Sequence, residues 1–301
     1  MATTRALNAA ELQAITVGFR GEYNKGFEMV NSLYQDIATV IPSSASSNVY
    51  PFLGDMYGVR EWIGDREMRK LSQFKYALEN KKFEMTVEVN RDDLDDDMYA
   101  VYGPMFQNFG KETAQFADRK VFDALKAGFT ELCFDGQYFF DTDHPGYDEN
   151  GAEISVSNVQ SGAGDAWFLL DTAQPLKPII YQLRRDFELV RMDKADDERV
   201  FMTGTIRYGT DGRMNTGYGF WQQAFASTDT LDATNFDAAY AAMMGLKTRS
   251  GEPIGITPST LYVGASNRAA AQRIVEMQLI NGGENNPNYG AVKLVVVPWL
   301  S

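Results

Sequence analysis

The 301-residue chain has 28 Lys and Arg against 41 Asp and Glu, a formal net charge of −13, and an apolar fraction of 44% that is typical of a soluble globular protein. This acidity argues against a nucleic-acid-binding protein, because neutralising phosphates requires clustered basic residues. The single cysteine, Cys133, excludes an intrachain disulfide and is interpreted as a buried thiol. We find neither a secretory signal nor a membrane-spanning apolar run of ~18 residues, so we expect synthesis in the cytoplasm.

The first predicted element is an amphipathic helix that starts at a capping-box pattern, Asn8 with Glu11, and continues to about Tyr34. Three glycines weaken it by up to ~1 kcal/mol each, so it needs a partner surface. Residues 41–54 are predicted to be extended, because serines and two prolines disfavour a helix there. The pattern of residues 60–66 is ambiguous.

A hairpin is predicted next, with its turn at residues 79–82 and with apolar residues alternating with polar ones along the second strand. An acidic run over 92–97 follows. Its carboxylates suit a calcium loop, but the glycine and distal glutamate of that motif are missing. The favoured interpretation is that they cap the next helix.

That helix is predicted to begin near Pro104 or slightly earlier and to end at Gly128, because an apolar stripe keeps helical period for some twenty residues. Strands are then predicted around 166–172, 177–183 and 199–209, the last broken by Gly209 to Gly212. Helices are predicted over 235–247, capped by Thr234, and 267–280, capped by Ser266. Further strands are predicted at 260–263 and at 292–297, the second buried on both faces.

The stretch FDGQYFFDTDHP, residues 134–145, contains the only histidine in the chain, with Asp141 and Asp143 just before His144. These residues could form a catalytic site or a metal site. However, a chain with one histidine and one cysteine offers few of the side chains that either kind of site needs. The favoured alternative is structural. Residues 138–140 would form a buried strand, the two aspartates would accept backbone N–H bonds, and His144 with Pro145 would fix an extended exit.

Several ordered motifs together resemble the major head subunit of phage Mu and Mu-like prophages. They are EWIGDR (61–66), NKKFE (80–84), NRDDL (90–94), LKAGF (125–129), FDGQYFFDTDHP (134–145), AWFLLD (166–171) and GYGFW (217–221). Because the matches occur in order over most of the chain, they are far more specific together than any one of them alone.

The resemblance implies an α+β fold, the tailed-phage major capsid protein fold, with an N-terminal arm, an E-loop hairpin, a peripheral domain with a long spine helix, and an axial domain. The expected limits are 1–45 for the arm, 46–91 for the E-loop, 92–159 with 286–301 for the peripheral domain, and 160–285 for the axial domain. No catalytic residue, cofactor or metal is implied.

The implied function is that of a structural protein, a major capsid (head) subunit that self-assembles into an icosahedral shell around double-stranded DNA. Its implied partners are copies of itself in hexamers and pentamers, a scaffold protein, a head maturation protease and a portal. The DNA would be enclosed without specific binding, and no membrane would be involved. The expected location is the virion capsid, assembled in the host cytoplasm.

The arm and the hairpin are expected to lie across neighbouring subunits, because neither can bury its apolar face alone. The residues proposed for these contacts are Phe19, Phe27, Glu79, Lys81, Lys82, Phe83, Met85, Val87 and Val89. Two other functions stay open. One is a metal-assisted hydrolase using Asp141, Asp143 and His144, and the other is an encapsulating shell that holds protein cargo.

Overall fold

The computed structural model describes residues 9–50, 76–95, 99–192, 202–280 and 282–301, so the segments 51–54 and 60–66 lie outside the described residues. Its helices are α1 (Ala9–Glu28), α2 (Tyr34–Ile37), α3 (Arg91–Asp95), α4 (Tyr99–Ala127), α5 (Ala233–Met244) and α6 (Arg268–Val275), with 3₁₀ turns at Trp221–Gln223 and Pro298–Leu300. Its strands are β1 (Ala38–Pro42), β2 (Ser47–Tyr50), β3 (Tyr76–Glu79), β4 (Lys81–Asn90), β5 (His144–Tyr147), β6 (Glu153–Val156), β7 (Val159–Gln160), β8 (Trp167–Leu170), β9 (Ile179–Met192), β10 (Thr205–Tyr218), β11 (Ala224–Ser227), β12 (Thr260–Val263), β13 (Leu279–Ile280), β14 (Glu284–Asn285) and β15 (Lys293–Val296). Within these ranges, each helix is too short or too polar to cross a membrane.

Helix α4 is the long rod that the apolar stripe predicted, and it gives way at Gly128 as expected. Pro104 lies in its second turn rather than its first, so the helix begins earlier than the proline alone would indicate. Phe106, Val121 and Leu125, which share one stripe, are fully buried. Helix α4 therefore contributes to two of the hydrophobic clusters, one towards each of its ends.

Helix α1 lies along α4 of the same chain, and it ends at Glu28 instead of continuing to Tyr34. Phe19 of α1 stacks on Phe106 of α4, with ring centroids 4.2 Å apart and an interplanar angle of 15°. The edge of Tyr208, on β10, meets the Phe19 ring at 5.5 Å. The partner surface that α1 needs is thus supplied by its own subunit.

Two glycines allow the helices to approach this closely. A Cβ on Gly26 would collide with the backbone of Gln107, and a Cβ on Gly110 would collide with the backbone carbonyl of Tyr23. A methyl group on Gly21, in contrast, would meet nothing within 4 Å. Gly26 lowers the intrinsic helix propensity of α1, but it also permits the packing that stabilises α1.

A buried carboxylate on α4 holds the elbow where the arm joins the body. Asp118 Oδ1 accepts hydrogen bonds from the backbone N–H groups of Leu33 at 2.8 Å and Tyr34 at 2.7 Å, at the start of α2. Burial raises the pKa of Asp118 above its ordinary value, against the opposing effect of these two donors. The path of the chain out of the arm therefore depends on one side chain of the rod.

The predicted hairpin is wrong, because its two strands pair with different partners. Strand β3 pairs antiparallel with β2, whereas β4 pairs antiparallel with β10 in a four-stranded sheet of order β1-β9-β10-β4. Asn80, between them, is buried and donates to Ser43 Oγ and to the Ala45 carbonyl, each at 2.9 Å. Its Oδ1 accepts from Gln182 at 2.9 Å. These contacts hold Asn80 where the chain passes between sheets, so it is not part of an exposed turn.

Strand β10 runs through the break that was predicted at Gly209 to Gly212. Between Asp211 and Arg213 the partners on β9 go from Glu188 to Arg185, so the extra residue of a bulge lies in β9, opposite Gly212. A Cβ at Gly212 would lie 2.8 Å from the Met214 side chain and 3.2 Å from the Arg185 carbonyl, so only glycine fits there without adjustment. The glycine therefore marks an irregularity within a strand rather than the end of one.

A second sheet has the order β15-β12-β8-β11-β7 and packs against α5 and α6. Strand β12 has its predicted limits, and all four residues of β8 are buried. Helix α5 is capped by Asp232, whose side chain accepts from the Asn235 N–H, rather than by Thr234, and α6 starts after Asn267 and stops at Val275. The prediction that the last strand is buried on both faces is wrong, because β15 is an edge strand with Val296 exposed.

The strand pairings cut across the expected domain limits. Strands β9 and β10 fall in the range expected for the axial domain, yet they pair with β1 and β4. Strand β15, expected to return to the peripheral domain, pairs with β12, while Trp299 just after it stacks against Phe122 of α4 at 6.0 Å. The domain division stays a prediction, and these pairings would move β9 and β10 to the side of the spine helix.

Candidate functional site

His144, the first residue of β5, is fully buried and lies between a carboxylate and an indole. Its Nδ1 is 2.8 Å from Asp135 Oδ2. Its ring stacks on Trp221, with centroids 4.1 Å apart and an interplanar angle of 10°. The imidazole is thus held in one plane by stacking and in one direction by a hydrogen bond, and the predicted extended exit is present as β5.

Asp135 is the centre of this cluster. Its Oδ1 accepts from the Cys133 thiol at 3.0 Å and from the Gln137 N–H at 3.1 Å. Burial alone would raise the pKa of Asp135, but the hydrogen bonds from His144 and Cys133 outweigh burial and hold the pKa below its ordinary value. Burial, together with the neighbouring Asp135 charge, raises the pKa of the Cys133 thiol, so Cys133 is no activated nucleophile.

The structure separates the aspartates that the sequence had grouped with His144. Asp141 accepts the N–H groups of Tyr138 at 3.1 Å and Thr142 at 2.7 Å, which is the predicted backbone role, whereas Asp143 is exposed. The orienting partner of His144 is Asp135 instead. The hydrolase constellation of Asp141, Asp143 and His144 is therefore not assembled.

The buried strand predicted at residues 138–140 is also wrong. Phe139 and Phe140 are buried, with ring centroids 4.8 Å apart, but they lie in a bend. Tyr138 is exposed and forms only an isolated bridge with Leu132. The segment folds back on itself, which brings Asp135 to His144 nine residues later. The Asp135–Gly136 pair, a common turn signal, was the available clue to this reversal.

Of the residues predicted to contact neighbouring subunits, Phe19 and Val89 are fully buried in the chain's own core. We therefore remove them from the proposed interface. Phe83 and Val87 are partly buried against their own chain, and the Phe83 ring packs 4.7 Å from Phe116 of α4. The apolar face of β4 thus lies mainly on its own spine helix and arm.

The remaining predicted contact residues are more exposed. Phe27 is 40% exposed and Met85 is 39% exposed. Glu79, Lys81 and Lys82 are exposed where the chain passes from β3 into β4. Contact between any of these residues and a neighbouring subunit stays a prediction.

The opposite side of this sheet, which the sequence analysis did not single out, is a second exposed surface. We call it the outer face, and it consists of Glu84, Thr86, Glu88, Glu188, Val190, Met192, Arg207, Gly209 and Asp211. The polar residues that alternate with apolar ones along β4 were the sequence signal for this outer face. The strand β9 that completes the outer face was predicted to end much earlier, so the surface could not be recognised.

The outer face combines apolar and acidic rows. Val190 is 56% exposed and lies opposite Gly209, and Met192 is 53% exposed and lies opposite Arg207. Glu84, Asp211 and Glu188 form a row of three carboxylates across the strands, and Arg185 pairs with Asp211. Exposed apolar side chains beside charge are typical of association surfaces.

Comparison with known proteins identifies the family. The model of the Mu-like prophage major head subunit gpT matches residues 12–300. The chain belongs to this family. Among its relatives, the Mu-like prophage FluMu major head subunit of Haemophilus influenzae is 41% identical over 275 residues, 89% of both chains. The major capsid protein of Escherichia phage Mu is 35% identical over 300 residues, 97% of this chain and 98% of that protein.

Solved structures agree with this assignment. A subunit from the procapsid of bacteriophage JBD30 aligns with a TM-score of 0.86 and 41% identity, covering 97% of this chain and 100% of that one. A subunit from the JBD30 capsid aligns with a TM-score of 0.76 and 31% identity, covering 90% and 92%. The predicted capsid fold is confirmed, and so is the role: this chain is a major head subunit, a structural protein of a Mu-like capsid that assembles with copies of itself into a shell.

Proposed function

We propose that this major head subunit closes an icosahedral shell of hexamers and pentamers around double-stranded DNA, with a scaffold protein, a head maturation protease and a portal as partners. The relatives are head and capsid subunits, and JBD30 has both a procapsid and a capsid, which supports a staged assembly. The net charge of −13 supports enclosure of DNA without specific binding, because a wall of like charge repels phosphate.

The observation that carries the proposal is the outer face, where Val190 and Met192 stay more than half exposed in the single subunit. A sheet face that contains exposed apolar groups gains free energy when a neighbouring subunit covers it. Phe27 and Met85 extend the exposed apolar surface to the arm and the inner side of β4. Each contact is repeated at every subunit of a closed lattice, so a small favourable contribution is multiplied.

Charged residues would set the register of these contacts. Lys81 and Lys82 are exposed, as are the carboxylates of Glu79 and Glu84. In the proposal, these side chains form ion pairs between subunits, each worth at most about 1 kcal/mol and weakened by salt. The double reversal of Lys81→Glu with Lys82→Glu is therefore expected to raise the protein concentration needed for assembly, and high salt is expected to do the same for the wild type.

The direct test compares Val190→Glu with Val190→Thr, both co-expressed with the scaffold protein of the phage. Glutamate places a charge in the apolar row of the outer face, whereas threonine keeps the shape and β-branching of valine. Sedimentation velocity and negative-stain microscopy should show shells for the wild type and the threonine variant. The glutamate variant should give unassembled subunits whose thermal midpoint is unchanged.

Two outcomes would contradict the proposal at different levels. Normal shells from Val190→Glu would remove the outer face from the interface while leaving the head-subunit role intact. A wild-type chain that stays monomeric with its scaffold at high concentration would contradict the assembly proposal itself.

A further inference from the structure

Cys133, Asp135 and His144 converge in the buried turn after α4, and their ligand atoms, Sγ, a carboxylate oxygen and a ring nitrogen, all lie within 4.8 Å of one another. We propose that this cluster binds a divalent transition-metal ion, with Zn²⁺ as the best match. The head-subunit role does not require such a site, and we expected none from the sequence.

The donor set selects the class of ion. A thiolate, an imidazole and a carboxylate are the three kinds of ligand that zinc takes in proteins, whereas Ca²⁺ and Mg²⁺ prefer oxygen alone. The Cys133 Sγ lies 3.0 Å from Asp135 Oδ1, and the His144 Nδ1 lies 2.8 Å from Asp135 Oδ2. Ligands of a tetrahedral zinc stand roughly 3.3–3.7 Å apart, so these two separations need to widen by less than about 1 Å. The third, between the thiol and the imidazole, is at most 4.8 Å.

Binding replaces the two hydrogen bonds to Asp135 and releases one proton. The Cys133 thiol releases its proton to solvent, and the imidazole gives up its Nδ1 proton and carries one on Nε2 instead. Among the described residues, Nε2 of His144 has no hydrogen-bond partner, so a proton there displaces no bond at that nitrogen, and only the Nδ1 bond to Asp135 is exchanged for the ion. The loaded site contains one thiolate, one carboxylate and one divalent cation, and this neutral sum suits a buried position.

The surroundings hold the ligands in place and close the site. The His144 ring is fixed by its stacking on Trp221, and the Gln137 N–H holds Asp135 at 3.1 Å. The His144 and Asp135 side chains are 0% and 2% exposed. The fourth position would be filled by a water molecule or by the Tyr138 carbonyl oxygen, which lies 4.0 Å from the Cys133 Sγ. With the Tyr138 carbonyl in the fourth position the site would be closed, as structural zinc sites are, and the ion would fasten the turn after α4 to β5.

The test uses the purified, full-length, unassembled subunit with Zn²⁺ and Co²⁺ as probes, so its result does not depend on shell formation. We expect one equivalent of zinc per chain to survive dialysis, as measured by elemental analysis. The cobalt form should show a thiolate-to-cobalt charge-transfer band. Cys133→Ser should abolish that band and weaken zinc binding by more than the ~10–100-fold that a lost outer partner costs.

Asp143→Asn is the matched control, because Asp143 is exposed and adjoins His144 in the sequence, and this variant should bind zinc as the wild type does. If Cys133→Ser fails to fold, the cobalt spectrum of the wild type still decides the question. Zinc lost on dialysis, or cobalt bound without a thiolate band, would overturn the proposal and leave a hydrogen-bonded cluster with adventitious binding only.

Discussion

Helix α1 and the outer face of the four-stranded sheet both present apolar side chains, but those of α1 are buried in the subunit and those of the outer face are exposed. Against α4, glycine contacts bring the two backbones together and Phe19 is buried completely. On the outer face, Val190 and Met192 stay exposed beside a row of carboxylates. The difference separates two tasks: the α1–α4 contact stabilises the subunit, and the outer face is left for association.

The largest expected effect comes from the aromatic cluster at the α1–α4 contact. Phe19→Ala should lower the free energy of unfolding by about 3–5 kcal/mol, because it removes a fully buried ring that stacks on Phe106. Phe27→Ala is the control on the same helix and should cost less than about 1 kcal/mol, since that side chain is 40% exposed. Urea denaturation of the unassembled subunit measures both values, and equal losses would contradict the distinction between buried and exposed positions on α1.

The next effect tests the close approach of the helices. Gly110→Ala should destabilise the subunit by about 3 kcal/mol, because its methyl group meets backbone atoms that cannot rotate away. Gly21→Ala has open space and should stabilise the subunit by up to about 1 kcal/mol through helix propensity. Thermal midpoints of the two variants should therefore move in opposite directions. A neutral Gly110→Ala would mean that the helices lie farther apart.

A smaller effect is expected at the elbow between the arm and the body. Asp118→Ala should cost about 2 kcal/mol, because the N–H groups of Leu33 and Tyr34 lose their acceptor. Asp118→Asn keeps an acceptor oxygen and should cost less. If the alanine variant is as stable as the asparagine variant, the elbow does not depend on this carboxylate.

The same carboxylate predicts a pH dependence. Its pKa is raised in the folded state, so above the ordinary value of 3.8 the folded chain holds the proton more tightly than the unfolded chain. The stability of the wild type relative to Asp118→Asn should therefore fall as the pH rises from about 4 through the raised pKa. Denaturation midpoints at successive pH values check this slope, and a difference that grows with pH would have the wrong sign.

The smallest effect belongs to the outer face. Arg207 pairs with Glu88 at 2.6 Å, but both side chains are partly or largely exposed. Glu88→Gln should change the unfolding free energy by less than about 1 kcal/mol. A larger loss of stability in the isolated subunit would mean that the outer face also stabilises the fold.

The elements that the sequence predicted best are those with a strong local period. Helix α4 keeps its apolar stripe along its length, and β12 is a short apolar strand bounded by turn residues, so both emerge from spacing alone. The hairpin failed because the contacts of Asn80 with Ser43, Ala45 and Gln182 join residues far apart in the sequence. No local pattern encodes such contacts.

The roles of the glycines and of the histidine cluster also depend on contacts that no local sequence pattern encodes. Gly26 has a low helix propensity, and its role in allowing the close approach of α4 can be recognised only in the folded structure. Asp141 and Asp143 adjoin His144 in the sequence, but the chain reversal brings Asp135 to the imidazole instead. The outer face was missed for a related reason, since the register of β9 with β10 brings its rows together.

Amide hydrogen exchange on the full-length, unassembled subunit tests most directly whether α1 belongs to the subunit's own core. We expect amides from about Phe19 to Gly26 to exchange as slowly as those in α4 before any shell forms. Exchange at the rate of an unstructured peptide, with protection only after assembly, would show that α1 is stabilised by neighbouring subunits and would contradict the account.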